Sequence, residues 1–313
     1  MAIAHRLSAI TASDFVVQST SELDSDGAAA QFKLQNLNGN SGEVQLFNLI
    51  GLDQRKPFAE SYMSSDCDLQ MAGYRIVTKM NEKNLPEDFL QIAIKTFKPM
   101  TTWNTCDVSV MIDSNQDGVF EQELLGASLK SIPGQKTEDF ETTLLDATQA
   151  RAIRQQYESE VEKYKNDPVK LADLKNQENY DKAVIDQQAM KIYNNSTVVI
   201  LEAAVKSLAK TAAGNLDFKI LVTHNDQGAI EMDDYLDSTV KADAQISLKK
   251  EDQAYLDLPV DLKLNGNEAQ TVSLTKGTGH SDLMVLLPQN KFSTSSLVDD
   301  SQAMLLKATY KNQ

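Results

Sequence analysis

Cys106-Asp-Val-Ser-Val-Met-Ile112, followed at once by Asp113-Ser-Asn115-Gln-Asp117-Gly118-Val119-Phe-Glu121-Gln-Glu123-Leu-Leu125, decides what kind of fold this chain has. Val108, Val110 and Ile112 alternate with Asp107, Ser109 and Met111, and a period of two is the mark of a half-buried strand. The apolar members are mostly β-branched, which suits a pleated surface better than a helix. Oxygen-bearing side chains then occupy alternate positions, with a glycine directly after the third, so the strand runs into a tight loop. Phe120-Glu-Gln-Glu-Leu-Leu125 leaves that loop as a further extended or weakly helical run.

Outward in both directions the text repeats this pattern. Phe15-Val-Val17, Gln31-Phe-Lys-Leu-Gln35, Glu43-Val-Gln-Leu-Phe-Asn-Leu-Ile50, Tyr74-Arg-Ile-Val77 and Leu90-Gln-Ile-Ala-Ile94 read as strands. The Gly- and Asn-bearing clusters Asp24–Gly27 and Asn36–Gly42 read as turns between them. Beyond the loop, Ala147–Lys191 changes character, being rich in Ala, Gln, Glu, Lys and Arg, which lose little side-chain entropy in a helix. Pro168 interrupts it and suits the first turn of a new helix. The expectation is a helical hairpin, Ala147–Lys165 then Pro168–Lys191. After it, Thr197–Val205 and Leu216–Thr223 return to β character, and short apolar runs between Ala244 and Ala308 make a second set of strands.

At 313 residues the chain exceeds the size at which single cores usually split. The fold class expected is mainly β: two antiparallel β-sandwich-like domains with a helical hairpin insertion in the first. The first spans residues 1–228 and holds the loop 113–123 and the helices 147–191; the second, smaller one spans 238–313. The acidic stretch Glu231–Asp237 reads as part of the linker. Hydrophobic residues at 41% and charged residues at 24% are enough to bury a core, which argues against wholesale disorder.

A net charge of -15 repels phosphate backbones and anionic lipid surfaces, which disfavours nucleic acid as a partner. No apolar run is long enough to form a membrane-spanning helix. The start, Met1–Leu7, has no secretory-signal pattern, and the expectation is a mature or truncated chain. The two cysteines, Cys67 and Cys106, leave a disulfide and two separate thiols equally open.

The chemistry is concentrated in Asp113–Glu123. Asp113, Asn115 and Asp117 can converge on one hard cation because a tight loop turns alternate side chains inward; Gly118 permits the turn, and Val119 can offer its carbonyl. Glu121 acts directly or through water. An EF-hand loop would have a bidentate glutamate at its twelfth position, where this chain has Leu124; Glu123, one place early, is the substitute. The predicted ligands are therefore Asp113, Asn115, Asp117, Val119, Glu121 and Glu123, and the predicted ion is Ca²⁺ in a β setting. The competing reading is an Asp/Asn-rich turn that needs no ion. His224 and His280, each beside a turn, read as solvated side chains; no His-x-x-x-His, Cys-x-x-Cys, Gly-x-Ser-x-Gly or phosphate-cradling loop occurs. Trp103 reads as a core or sheet-edge anchor.

Tyr74-Arg-Ile-Val77, Asp107-Val-Ser-Val-Met-Ile-Asp113-Ser-Asn-Gln-Asp-Gly118 and Ser281-Asp-Leu-Met-Val-Leu-Leu-Pro-Gln-Asn290 together resemble the β-sandwich regions that follow the catalytic domain in secreted subtilisin-like serine peptidases. The family's Gly-Thr-Ser-Met-Ala, His-Gly-Thr and Asp-Thr-Gly segments are absent, so the resemblance implies an accessory region and not the peptidase. It implies Asp113, Asn115 and Asp117 as calcium ligands, a secreted or cell-surface location, and a role in stabilising or targeting an associated peptidase domain. The helical segment departs from the simple sandwich pattern of that family. Two rival readings are a free-standing surface adhesin or protein- or glycan-binding module, and an enzyme built on Asp233, Asp234 and Asp237.

Overall fold

The computed structural model describes residues 15–17, 22–26, 29–37, 40–53, 67–81, 83–100, 106–128, 140–175, 182–193, 196–210, 213–226, 229–237, 245–260, 262–288 and 302–308. Four strands open the chain, β1 (Phe15–Val17), β2 (Glu22–Asp26), β3 (Ala29–Asn36) and β4 (Gly42–Leu52). The long pair β5 (Leu69–Met80) and β6 (Pro86–Met100) follows. The acidic loop lies between β7 (Cys106–Asp113) and β8 (Gln122–Ser128). Next, β9 (Phe140–Asp146) runs directly into α1 (Ala147–Tyr164), and α2 (Pro168–Lys175) follows after a short turn. Then come β10 (Val184–Ala189), β11 (Lys191–Ile192), β12 (Ser196–Ala204), β13 (Asn215–Asp226) and β14 (Ala229–Asp237). The remaining strands are β15 (Ile246–Ser247), β16 (Tyr255–Leu256), β17 (Leu262–Leu264), β18 (Ala269–Lys276), β19 (Leu283–Leu286) and β20 (Ala303–Ala308).

The protein is mainly β, as its alternation predicts. The larger sheet runs β11-β12-β6-β5-β4-β19-β20-β2-β3-β18-β16, with β1 on β3 and β17 on β4; the smaller runs β10-β9-β8-β7-β13-β14, with β15 on β13. Among the described pairings all are antiparallel except β2 with β20.

One core cluster draws from both sheets. Leu90, Ile92 and Ile94 of β6 and Val199 and Leu201 of β12 meet Val108, Val110 and Ile112 of β7 and Phe218, Ile220 and Val222 of β13. These are the alternate residues that the period-two pattern sends to one face. Burying each such side chain stabilises by about 1.5–3 kcal/mol. Every residue of β12 is buried, because Val199 and Leu201 face this cluster while Val198 and Ile200 face another that includes Phe47, Ala93, Met284 and Leu286. A strand covered on both faces reads as an unbroken apolar run, which Val198-Val-Ile-Leu201 is.

The larger sheet curls. Gln302, next to β20, accepts hydrogen bonds at Oε1 from the Thr197 N–H (2.8 Å), Thr197 Oγ1 (2.9 Å) and Ser196 Oγ (3.2 Å) at the start of β12. These strands stand five places apart in the sheet, about 24 Å if it were flat. Arg75, 1% exposed, lies on the enclosed face over the Phe47 ring, with Nε on Gln91 Oε1 (2.8 Å) and the fork on Gln45 Oε1 (2.5 Å) and the Pro259 carbonyl (2.9 Å).

Three expectations need correction. The predicted linker Glu231–Asp237 lies in β14 and is hydrogen-bonded to β13 as a hairpin. The predicted division between 228 and 238 is crossed by sheet pairing, since β18 pairs with β3, β19 with β4 and β20 with β2. A second core, with Phe32, Leu34 and Leu46 beside Leu274, Leu283 and Leu306, is accordingly made of both ends of the chain. The second helix is described over Pro168–Lys175 and does not run to Lys191; Val184–Ala189 is a strand whose alternate residues are half-buried against β9, so edge pairing outweighs the helix preference of its Gln and Ala residues. Pro168 does open α2, with Asp167 Oδ1 capping the Lys170 N–H (3.1 Å).

Candidate functional site

The loop between β7 and β8 is held from within by its own carboxylates. Asp113, 1% exposed, accepts the Gln116 N–H (2.6 Å) and the Asp117 N–H (3.3 Å) at Oδ1 and the Gly118 N–H (2.7 Å) at Oδ2. Asn115 Oδ1 accepts from the Asp117 N–H (2.9 Å) and Asp117 Oδ1 from the Val119 N–H (2.8 Å). Short side-chain acceptors of this kind replace backbone partners in a turn. Two residues take left-handed backbone, Gln116 (φ 62°) and Gly118 (φ 86°), and glycine does so without steric cost.

Glu121 reaches back across the loop mouth, its Oε2 accepting from the Ser114 N–H (2.8 Å) and Oγ (3.0 Å). One carboxylate oxygen from each of Asp113, Asp117 and Glu121 then lies within 4.8 Å of the others. A carboxylate has about four lone-pair positions, so the N–H bonds do not exhaust these groups as ligands. Three like charges at this spacing repel, and a divalent cation among them, ringed by oxygen at 2.3–2.6 Å, would reverse the sign of the interaction. The donor set fits a hard cation such as Ca²⁺ and lacks the nitrogen and sulfur ligands that zinc prefers.

Of the six predicted ligands, the fold brings Asp113, Asp117 and Glu121 into this cluster, with Asn115 bonded to its backbone and Val119, 53% exposed, on the rim. Glu123 is elsewhere. It lies on β8 opposite Met111, 8% exposed, with Oε1 accepting from Ser109 Oγ (2.7 Å). Strand parity explains this: Leu124 takes the core face, so Glu123 takes the other.

The loop is anchored at both ends. Its exit is tied to α1, with the Ala147 N–H on the Glu121 carbonyl (2.8 Å) and the Arg151 guanidinium on the Phe120 carbonyl (3.3 Å). Gln116 Nε2 donates to Asp217 Oδ1 (3.3 Å) on β13. Cys67 and Cys106 form a disulfide (Cα–Cα 5.8 Å), which joins the approach to β5 with the start of β7 and so links the two sheets.

The other candidates are dispersed. His280 is exposed, on a loop beside a cleft. His224 lies on β13 and Asp233, Asp234 and Asp237 on β14, where their side chains are outside the described ones; Trp103 lies outside the described residues. Asp107, on the outward face of β7, was not singled out by any spacing; burial pushes its carboxyl up from the ordinary 3.8 to about 6. No helix among the described residues is long and apolar enough to cross a membrane. Compared with protein-family models, curated proteins and solved structures, the chain matches none.

Proposed function

We propose that the chain is a non-catalytic, extracytoplasmic calcium-binding module whose ion fixes the Asp113–Glu121 loop. The observation that carries this reading is the convergence of Asp113, Asp117 and Glu121 within 4.8 Å on a loop already shaped by Gly118. The Cys67–Cys106 disulfide supports an oxidising compartment. Extracellular calcium modules bind with a Kd of about 10⁻⁴ to 10⁻³ M, suited to a structural ion in a calcium-rich exterior. We read the two sheets around one shared core as a sandwich, and the α1–α2 pair as a helical hairpin inserted between β9 and β10. The role that the resemblance implies is accessory, stabilising or targeting an associated subtilisin-like peptidase. A free-standing surface binding module is the second reading, favoured by a cleft lined by Tyr74, Ser247, Asp252 and Asp282.

Thermal unfolding of chelator-treated protein, with and without Ca²⁺, tests the ion. At 100 times Kd an ion bound only by the folded state adds about 2.7 kcal/mol, a midpoint rise of several degrees. Asp117→Ala should lose that rise; an unchanged midpoint in the wild type would reduce the loop to a self-capped turn. A peptidase domain encoded in the same reading frame would separate the accessory role from the free-standing one.

A further inference from the structure

Where the two cores meet, a cleft of about 630 Å³ opens between the end of β4, β5, β15 and the loop after β18. That is within the usual size range of small-ligand sites, which favour such junctions. Its aliphatic wall is Leu49, Ile50 and Ala254, and its polar wall includes Tyr74, Asn215, Gln245 and Ser247. Asp252, His280, Ser281 and Asp282 complete the polar side, and among the described residues no lysine or arginine lines it.

The rim is preformed. Residues 277–279 lie directly on the turn 251–254, with N–H bonds from Gly277 to the Ala254 carbonyl (3.0 Å), from Thr278 to Glu251 (3.0 Å) and from Gly279 to Gln253 (3.2 Å). A Cβ on Gly277 would stand 2.0 Å from the Gln253 carbonyl oxygen and one on Gly279 2.2 Å from that of Asp252, so only glycine allows this approach. Asp282 is fixed through its carbonyl, which accepts the Leu49 N–H (2.9 Å).

Tyr74 gives the cleft a second kind of group. It is 6% exposed, its Oη accepts the Ser247 N–H (3.4 Å), and its hydrogen has no acceptor among the described residues. Burial, opposed by the Ser247 N–H and reinforced by the Asp252 charge, pushes the phenol up to about 12; like any tyrosine it is an O–H donor at neutral pH.

We propose that this cleft binds a lysine or arginine residue of a peptide. Asp252 and Asp282 face the cation, the amide and hydroxyl oxygens take its further N–H donors, and the aliphatic wall covers the methylene stem. The Tyr74 O–H takes a peptide carbonyl, an acceptor that a bare amine or metal ion does not supply. Anionic ligands are disfavoured because no described lining residue is a Lys or Arg, and the net charge of -15 steers cations toward the surface. Two lining carboxylates do not make a metal cluster, and among the described residues the loop at Asp113 is the only acidic group of three.

The test is titration of the ¹⁵N-labelled protein, in saturating Ca²⁺, with acetyl-lysinamide, acetyl-argininamide, neutral acetyl-norleucinamide and methyl glucoside, following amide shifts of Ser247, Thr278 and Gly279. Binding of the two cationic probes with Kd on the order of 1 mM is expected, at least tenfold tighter than the neutral ones. Asp252→Asn should weaken the cationic probes fivefold or more, and Tyr74→Phe should weaken them about threefold. Raising NaCl from 20 to 500 mM in the wild type should weaken them too, which keeps the test decisive where a variant does not fold. Equal or tighter binding of norleucinamide or the glucoside, no shift at 50 mM cationic probe, or salt-independent affinity would overturn the proposal.

Discussion

Asp113 and Asp117 stand four residues apart in one loop, yet their carboxylates serve different ends. Asp113 is buried and satisfies three backbone N–H groups, whereas Asp117 is exposed and caps one. These donors are part-buried and the Asp117 N–H keeps Asn115 Oδ1 as a second acceptor, but hydrogen bonds to charged groups are the stronger ones, so Asp113→Ala should destabilise by roughly 2–3 kcal/mol even in chelator. Asp117→Ala should cost under about 1 kcal/mol in chelator and act mainly through lost calcium stabilisation, and urea unfolding of both variants with and without Ca²⁺ separates the two roles. Asp107 makes a prediction with the opposite sign. Its folded value of about 6 exceeds its ordinary 3.8, so the folded state holds the proton more tightly. Stability therefore falls as pH rises from about 4 to about 6, on the order of 2–3 kcal/mol, and stays lowered above that. Asp107→Asn should be more stable than wild type at pH 7.5 and lose that advantage at pH 4, read from paired unfolding curves; an equal difference at both pH values would rule out the proton linkage. The convergence of Asp113, Asp117 and Glu121 was legible because oxygen-bearing side chains recur at alternate positions around Gly118. Glu123 was misread as a ligand, since β8 begins at Gln122 and strand parity, which loop spacing does not reveal, turns it toward Ser109.

The elements were legible where their pattern is local. α1 follows from its composition, with Asp146 Oδ1 capping the Gln149 N–H (2.9 Å) in the fold, and α2 starts at the proline that marks it. β10 was not legible, because Val184-Ile-Asp-Gln-Gln-Ala189 becomes a strand only by pairing with β9, an interaction with a partner outside the window. The loop after β18 has the same character: nothing in Gly277-Thr-Gly-His280 announces that its glycines touch the turn at 251–254. Gly277→Ala should cost several kcal/mol or displace that loop, because the atom it meets is backbone and cannot rotate away. Gly118→Ala, with open space around its Cβ and only positive φ against it, should cost about 1 kcal/mol. Melting temperatures of the two variants should differ accordingly, and comparable losses would mean that steric approach is not what Gly277 provides.

Strand alternation predicts how many faces are buried but not which strands become neighbours, and the assembly of this chain depends on the latter. Leu283–Leu286 pairs with Gln45–Asn48, and Val272 with Phe32, partners more than two hundred positions apart. A boundary placed by composition at 228–238 therefore divides strands that share one sheet. Such non-local pairings carry a large loop-closure cost before any contact repays it, and their register is written in complementary faces, not in spacing. Two cross-links tie parts of the chain that lie in different strands. The Cys67–Cys106 disulfide spans 39 positions, and by the chain-entropy relation it should contribute about 4 kcal/mol by restricting the unfolded chain. Gln302 acts on the folded side, where one carbonyl oxygen joins the two ends of the curled six-strand run. Gln302→Leu keeps similar bulk but removes the acceptor, and while the Thr197 and Ser196 hydroxyls can rotate to other partners, the buried Thr197 N–H cannot. The variant should lose about 1–3 kcal/mol, and amide exchange at residues 196–198 and 303–306 should quicken more than in β7 or β13. Uniform acceleration across both sheets would mean that the curl is held by the packing of Phe47, Met284 and Val198 alone, with Gln302 merely filling its seam.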